Sequence, residues 1–78
     1  MEAIVWSKDQ CTHCEQAKNL LKMKGCDYEE RNITGSSWTK EQLLEKVPTA
    51  RTVPQIFIDD EYVGGFTDLK SFLSIERD

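Results

Sequence analysis

Two cysteines three positions apart are the residues of this chain most able to do chemistry. Cys11 and Cys14 form a CxxC pair in the stretch "SKDQCTHCEQAKNLL", residues 7–21, where a short apolar run gives way to a helix-like pattern. Such a pair can bind a metal ion, form a structural disulfide, or exchange electrons as a dithiol and a disulfide. The spacing permits all three, so the rest of the sequence must choose between them.

Composition limits the classes of protein to which the chain can belong. With 78 residues, 38% hydrophobic and 31% charged, we expect one soluble domain over residues 1–78. The longest apolar runs are too short for a membrane helix or a signal peptide, so we expect a cytoplasmic protein. A formal net charge of −4 argues against binding to nucleic acid or anionic membranes, which relies on excess Lys and Arg. Three cysteines suit one reactive pair and a spectator better than a disulfide-stapled scaffold.

The predicted elements of the first half place the cysteine pair at the start of a helix. Residues 3–6 form a continuous apolar run typical of a central strand. Residues 12–24 carry apolar side chains at helical spacing, with Lys18, Lys22 and Lys24 on the solvated face and Gly25 as the helix stop. Alternation over residues 26–33 predicts a second, more exposed strand, at an edge of the sheet.

The second half predicts a short helix, a hairpin and a last helix. Thr39 and Gln42 fit a capping box that begins the short helix. Residues 56–58 and 61–63 are typical of a β-hairpin, and the pair Gly64-Gly65 opens the last helix. The order βαβαββα predicts an α/β fold, a four-stranded mixed sheet with three helices packed on its two faces.

This layout gives the two sulfurs different roles. Cys11 falls where a strand ends and a helix begins, so its sulfur can lie among the unpaired backbone N–H groups of the helix N-terminus. Such a position stabilises a thiolate and lowers the pKa of cysteine from about 8.5 to roughly 3.5–7.5. Cys11 is therefore the predicted nucleophile. Cys14, one turn further along the same face, is the predicted resolving thiol.

Three motifs in order along the chain resemble the small dithiol glutaredoxins of the thioredoxin fold. They are "CTHC" after the first strand, "TVPQIFI" at residues 52–58 and "GGFTDL" at residues 64–69, and the resemblance covers essentially the whole chain. It implies a thioredoxin-like fold in which the Pro54 bond is cis, Pro54 faces the cysteines, and Val53 offers its backbone to an extended thiol substrate. It also implies a glutathione-dependent thiol–disulfide oxidoreductase that reduces protein disulfides and glutathione mixed disulfides.

The resemblance further implies a site for glutathione, as reducing co-substrate and not as a permanently bound cofactor. Lys8 is expected to meet the glycyl carboxylate, the helix N-terminus near Thr67 the γ-glutamyl carboxylate, and Asp68 the ammonium. The residues expected at this site are Lys8, His13, Arg51, Thr52, Val53, Pro54, Gly65, Phe66, Thr67 and Asp68. The expected partners are glutathione and disulfide-containing proteins, with ribonucleotide reductase as one candidate, and we expect a monomer.

The chain departs from the common CPYC motif of that family at both middle positions. Thr12 replaces proline and His13 replaces tyrosine. A protonated His13 could stabilise the Cys11 thiolate, or His13 could be an exposed residue without that role, and the sequence leaves both open. The loss of tyrosine is expected to remove an aromatic wall from the glutathione groove. It also leaves open reduction by thioredoxin reductase in place of glutathione.

Metal binding is the main alternative to redox chemistry. A structural zinc site needs four ligands, and beyond the CxxC pair the chain offers only Cys26 and His13, so we expect no metal site. Cys26 is predicted to be a small buried side chain on the second strand. A third alternative is a [2Fe-2S] cluster ligated by Cys11 of two chains and by two glutathiones, as in some relatives. Because position 12 is threonine and not proline, the sequence leaves this alternative open.

Overall fold

The structure, a computed structural model, describes residues 2–35 and 37–76, and the elements there follow the order βαβαββα. The strands are β1 (Glu2–Ser7), β2 (Asp27–Asn32), β3 (Gln55–Ile58) and β4 (Glu61–Gly64). The helices are α1 (Thr12–Met23), α2 (Lys40–Lys46) and α3 (Phe66–Glu76). The predicted order is confirmed, with small shifts at the ends of elements. No helix in the described part of the chain is both long and apolar enough to cross a membrane.

The four strands form one mixed sheet in the order β2-β1-β3-β4. β1 pairs in parallel with β2 and antiparallel with β3, and β3 and β4 form an antiparallel hairpin. The apolar β1 is therefore an interior strand and the charged β2 an edge strand, as their compositions predict.

Helices cover both faces of this sheet. On one face, Leu21 of α1 and Leu69 of α3 pack in one core with Val5. On the other face, Leu43 of α2 packs with Trp6. Val5 and Trp6 enter different cores because successive side chains of a strand point to opposite faces. Each such fully buried apolar side chain stabilises the fold by about 1.5–3 kcal/mol.

Two helix boundaries follow from local sequence. α1 ends because Gly25 adopts a φ of 74°, which favours glycine, and lets the Cys26 N–H donate to the Leu21 carbonyl at 2.9 Å. α2 begins with the predicted capping box, in which the Thr39 hydroxyl accepts the Gln42 N–H at 3.1 Å and Gln42 Oε1 accepts the Thr39 N–H at 2.8 Å. Both predicted boundaries are confirmed.

Lys22 and Lys24 are exposed, as predicted, but the prediction was wrong for Lys18, which does not lie on a solvated face. Its side chain is only 13% exposed, and Nζ donates to Glu15 at 2.9 Å and to Glu30 of β2 at 3.0 Å. The buried Ser7 hydroxyl donates to the same Glu30 oxygen at 2.6 Å. Edge strand β2 therefore places the Glu30 carboxylate beside α1, and without it the Lys18 side chain would be hydrated instead of paired.

These contacts set the ionisation of the charged groups. Burial alone would lower the pKa of Lys18, but its bonds to Glu15 and Glu30 outweigh that effect and raise the pKa. The Ser7 hydroxyl, joined by Lys18 against the opposing effect of burial, lowers the pKa of Glu30. We call Ser7, Lys18 and Glu30 the α1 anchor, because they tie α1 to β1 and β2.

Candidate active site

The junction between β1 and α1 holds Cys11. Cys11 is the N-cap residue of α1, with an extended backbone, and its Sγ accepts the N–H of Cys14 at 3.2 Å. A sulfur in this position receives backbone N–H groups and the positive end of the helix dipole, which stabilise a thiolate. The helix-terminal position predicted from the sequence is confirmed.

The two sulfurs are joined as a disulfide and differ in exposure. The Cα atoms of Cys11 and Cys14 lie 5.2 Å apart, within the usual range for a disulfide. Cys11 is half-buried, whereas Cys14 is only 1% exposed. A sulfur that approaches from solvent therefore meets Cys11 first.

The third cysteine does not take part in this site. Cys26 is free and buried, as predicted, in the core shared by α1 and α3, although it precedes β2 instead of lying within it. Among the described residues, no group of three or more His, Cys, Asp or Glu side chains is placed to hold a metal ion.

The segment that leads into β3 lies against Cys11. The Val53–Pro54 peptide bond is cis, as the family resemblance implies. The Val53 carbonyl oxygen lies 3.7 Å from Cys11 Sγ. Pro54 is buried and has no N–H, so it presents no donor of its own to the sulfur.

An open groove of about 600 Å³ joins the three sequence motifs. It contains every predicted site residue except Cys14, which lies buried behind Cys11, and Asp68. It also contains Thr12, which was not predicted as a site residue. The lining residues are Lys8, Cys11, Thr12, His13, Arg51, Thr52, Val53, Pro54, Gly65, Phe66 and Thr67. The described residues thus bring two permanent cations to the groove, Lys8 and Arg51, and no carboxylate.

Asp68 is exposed, does not line the groove, and caps its own helix. Its Oδ2 accepts the Gly65 N–H at 3.2 Å. The Gly65 carbonyl accepts the Leu69 N–H at 2.9 Å, so Gly65 is the N-cap residue of α3. The same carboxylate packs on Gly64, where φ is 123° and a Cβ atom would collide with it. The glycine pair therefore gives Asp68 room to organise the helix N-terminus beside the groove.

Two aromatic rings lie next to each other at the groove. The exposed His13 ring stacks on Phe66, with ring centroids 5.9 Å apart and an angle of 24° between the planes. Lys70 Nζ lies 5.4 Å from the centroid of the same phenyl ring. That the loss of tyrosine removes an aromatic wall from the glutathione groove stays a prediction, and in this chain the imidazole lies beside Phe66. That His13 also stabilises the Cys11 thiolate stays a prediction.

Two residues that the sequence analysis missed support the segment beside Cys11. Gln55 is buried, and its Nε2 donates to the Thr52 carbonyl at 2.8 Å while its Oε1 accepts the Tyr62 hydroxyl at 2.5 Å. Burial, followed by the negative charge of Asp68, raises the pKa of Tyr62, so its hydroxyl stays protonated and remains a donor. The sequence signal that could have identified Gln55 is a glutamine at a core-facing position of an otherwise apolar strand.

Several known proteins are similar to this chain in sequence. A sequence model of the Glutaredoxin family matches residues 3–63. The chain is 38% identical to glutaredoxin 3 of Escherichia coli K12, in an alignment that covers 83% of this chain and 77% of that protein. It is 30% identical to glutaredoxin 1 of the same strain, with coverage of 100% and 99%.

Solved structures of similar fold agree with these relatives. The structure of reduced Escherichia coli glutaredoxin matches with a TM-score of 0.85 at 30% identity, covering 100% of this chain and 99% of that one. A buckwheat glutaredoxin–glutathione complex matches with a TM-score of 0.82 at 26% identity, covering 96% and 70%. The predicted thioredoxin-like fold is confirmed. The chain belongs to the glutaredoxin family, whose members are thiol–disulfide oxidoreductases.

Proposed function

We propose that this chain reduces glutathione mixed disulfides and protein disulfides, with Cys11 as the nucleophile. The observation that supports this most directly is the contrast between Cys11, accessible at the helix N-terminus, and Cys14, buried one turn behind it. The Cys11 thiolate attacks one sulfur of the substrate disulfide. The other substrate sulfur leaves as a thiolate, and a mixed disulfide remains on Cys11.

With a protein substrate, Cys14 completes the reduction. Its thiolate attacks the Cys11 sulfur, releases the substrate thiolate and leaves the Cys11–Cys14 disulfide. One glutathione thiolate then attacks Cys11, which frees Cys14 and forms a mixed disulfide of Cys11 with glutathione. A second glutathione attacks the glutathione sulfur of that bond, which returns Cys11 as a thiolate and releases glutathione disulfide. The electrons from two glutathiones thus reduce one protein disulfide.

The groove offers partners for each end of glutathione. Lys8 and Arg51 line the groove and are the proposed partners of the glycyl carboxylate, and the backbone of Val53, also in the lining, is the proposed partner of the peptide groups of glutathione. The N-terminus of α3 at Thr67 suits the γ-glutamyl carboxylate, and Asp68 suits the ammonium. The buckwheat relative solved as a glutathione complex supports glutathione as the ligand of this groove.

The biological setting follows as part of the same proposal. The protein clients are disulfide-containing proteins, with ribonucleotide reductase as one candidate, and the chain acts as a monomer in the cytoplasm. The cluster-binding and thioredoxin-reductase alternatives stay predictions from the sequence. A brown colour on purification would favour the cluster, and turnover with thioredoxin reductase without glutathione would favour the other route.

Single cysteine variants test the roles of the two sulfurs. With a glutathione mixed disulfide of a small thiol, supplied with glutathione, glutathione reductase and NADPH, Cys14→Ser should retain activity because the reaction needs only one thiolate. Cys11→Ser should show no turnover above background, because the buried Cys14 cannot be reached. On an intramolecular protein disulfide, Cys14→Ser should be strongly impaired. An active Cys11→Ser and an inactive Cys14→Ser would reverse the assignment.

A further inference from the structure

A second, smaller pocket opens beside the catalytic groove, on the side of α2. It has a volume of about 160 Å³ and shares Lys8, Arg51, Thr52 and Val53 with the groove. We propose that this α2 pocket binds an acidic segment of the protein substrate, close in sequence to the cysteine that is reduced. The inference rests on the proposed reduction of protein disulfides and assigns a recognition site to it.

The charge of the α2 pocket is opposite to that of the chain. Lys8, Lys40 and Arg51 line it, and no carboxylate does among the described residues, although the net charge is −4. All three side chains are exposed, and none belongs to an ion pair formed between described residues. Their charge is therefore not neutralised locally, and it favours a partner that carries carboxylates.

The floor of the α2 pocket is apolar. Leu43 is buried, and Ile33 and Ala50 pack with it in the core beneath α2. The pocket thus offers contact for an aliphatic side chain below a rim of cations. Its volume lies below the 300–1,000 Å³ typical of small-molecule sites. It is therefore suited to one or two side chains of a polypeptide and not to a separate small ligand.

The position of the α2 pocket matches the path of an extended substrate. A substrate cysteine bonded to Cys11 lies next to the Val53 carbonyl, and Val53 also lines the α2 pocket. An extended chain advances about 3.3 Å per residue, so side chains a few positions from that cysteine reach the pocket. A small thiol joined to glutathione has no such continuation. The α2 pocket should therefore distinguish protein substrates from small ones.

Lys40 separates this site from the glutathione groove, because it lines the α2 pocket but not the groove. It is the first residue of α2, where a carboxylate is favourable to the helix dipole, so Lys40→Glu should fold normally. Lys24→Glu is the matched control. It makes the same charge change on an exposed lysine just after α1, about 20 Å along that helix from Cys11.

The test uses peptides of equal length with one intramolecular disulfide, so that a peptide cysteine becomes bonded to Cys11, and with Glu and Leu, Gln and Leu, or Lys and Leu on either side of that cysteine. With glutathione, glutathione reductase and NADPH supplied, the wild type should reduce the acidic peptide with a kcat/KM about three- to tenfold above that for the neutral peptide. This preference should shrink as salt is raised. Lys40→Glu should abolish or invert it and leave turnover of the small glutathione mixed disulfide unchanged, while Lys24→Glu should retain it.

Two results would overturn the inference. One is an equal kcat/KM for acidic and basic peptides in the wild type. The other is a loss with Lys40→Glu that is as large for the small mixed disulfide as for the peptides, which would make the α2 pocket part of the glutathione site. Absence of wild-type turnover on the peptides and on the small mixed disulfide alike would instead refute the proposed function. Thermal unfolding of both variants confirms that they are folded.

Discussion

At the scale of single residues, position on α1 separates two chemically identical thiols. Cys11 caps the helix and accepts a backbone N–H, whereas Cys14 is enclosed by the first turn. The sequence predicts this difference because it depends only on where a strand ends and a helix begins. The hydrogen bonds that support the groove join residues further apart in the sequence. Gln55 orients the Thr52 carbonyl, and Tyr62 orients Gln55.

Removal of the Tyr62 hydroxyl should loosen the segment that lines the groove beside Cys11. In Tyr62→Phe, the buried Gln55 loses the donor to its Oε1, so its amide is free to turn away from the Thr52 carbonyl. One lost hydrogen bond of about 1 kcal/mol corresponds to a rise of roughly fivefold in KM for a glutathione mixed disulfide. Steady-state kinetics measure this change, and the ultraviolet titration of the Cys11 thiolate should stay unchanged.

Tyr28→Phe is the control for that prediction. It removes the same hydroxyl group from a half-buried tyrosine of β2 that packs on the core shared by α1 and α3. Its KM should equal that of the wild type. If Tyr62→Phe also leaves KM unchanged, the Thr52 carbonyl does not depend on this chain of hydrogen bonds.

At the scale of elements, the α1 anchor fixes the helix that carries the cysteines to two strands at once. Glu30 of β2 accepts hydrogen bonds from Ser7 of β1 and from Lys18 of α1 on the same oxygen. Because the fold lowers the pKa of Glu30, the ionised carboxylate stabilises the folded state above the ordinary pKa of 4.5. This contribution is lost as pH falls through the lower pKa of the folded state.

Neutralisation of Glu30 should therefore destabilise the protein only where the carboxylate is ionised. At pH 7, Glu30→Gln should lower the free energy of unfolding by about 1 kcal/mol, since the group is partly exposed and pairs with a single lysine and a hydroxyl. At a pH well below 4.5 the two proteins should converge. Urea unfolding at both pH values measures the difference. The exposed Glu45→Gln should show no such pattern, and an equal loss for Glu30→Gln at both pH values would contradict the assignment.

The ends of the helices could be predicted from the sequence, whereas the register of the hairpin could not. The helix ends at Gly25 and Thr39 follow from local backbone chemistry, and they are confirmed. The contact of Tyr62 with Gln55 depends on the register of the β3–β4 hairpin, which shifts between Ile56 and Phe57. A one-residue shift of register exchanges the faces of a strand, and the sequence-based prediction gave the hairpin without this irregularity.

The set of residues that line the groove could not be predicted from local sequence patterns either. Lys8, Arg51 and Thr67 come from three separate loops or helix ends, which meet only when the sheet has formed. Family resemblance supplied these residues, whereas periodicity and capping supplied the elements. Lys18 was misplaced for a related reason, because its partner Glu30 is brought beside α1 only by the parallel pairing of β1 and β2.

At the scale of the whole molecule, charge is divided between the two ends of the sheet. At the start of β1, a cavity of about 480 Å³ is lined by several carboxylates, among them Glu2, Asp27 and Asp59. At the other end, the groove carries Lys8 and Arg51 and no carboxylate among the described residues. Since β1 has six residues at about 3.3 Å each, the two ends lie roughly 17 Å apart.

This division predicts that salt slows turnover of glutathione substrates, although the chain is an anion overall. A glutathione moiety carries two carboxylates and one ammonium, so it is attracted to Lys8 and Arg51. At about 0.1 M salt the screening length is about 10 Å, and the distant carboxylates are largely screened from the groove. We expect kcat/KM for a glutathione mixed disulfide to fall about two- to fivefold between about 20 and 200 mM NaCl. Arg51→Gln should flatten this dependence and Lys24→Gln should not, whereas a rise of kcat/KM with salt would mean that the net charge of −4 governs the approach of substrate.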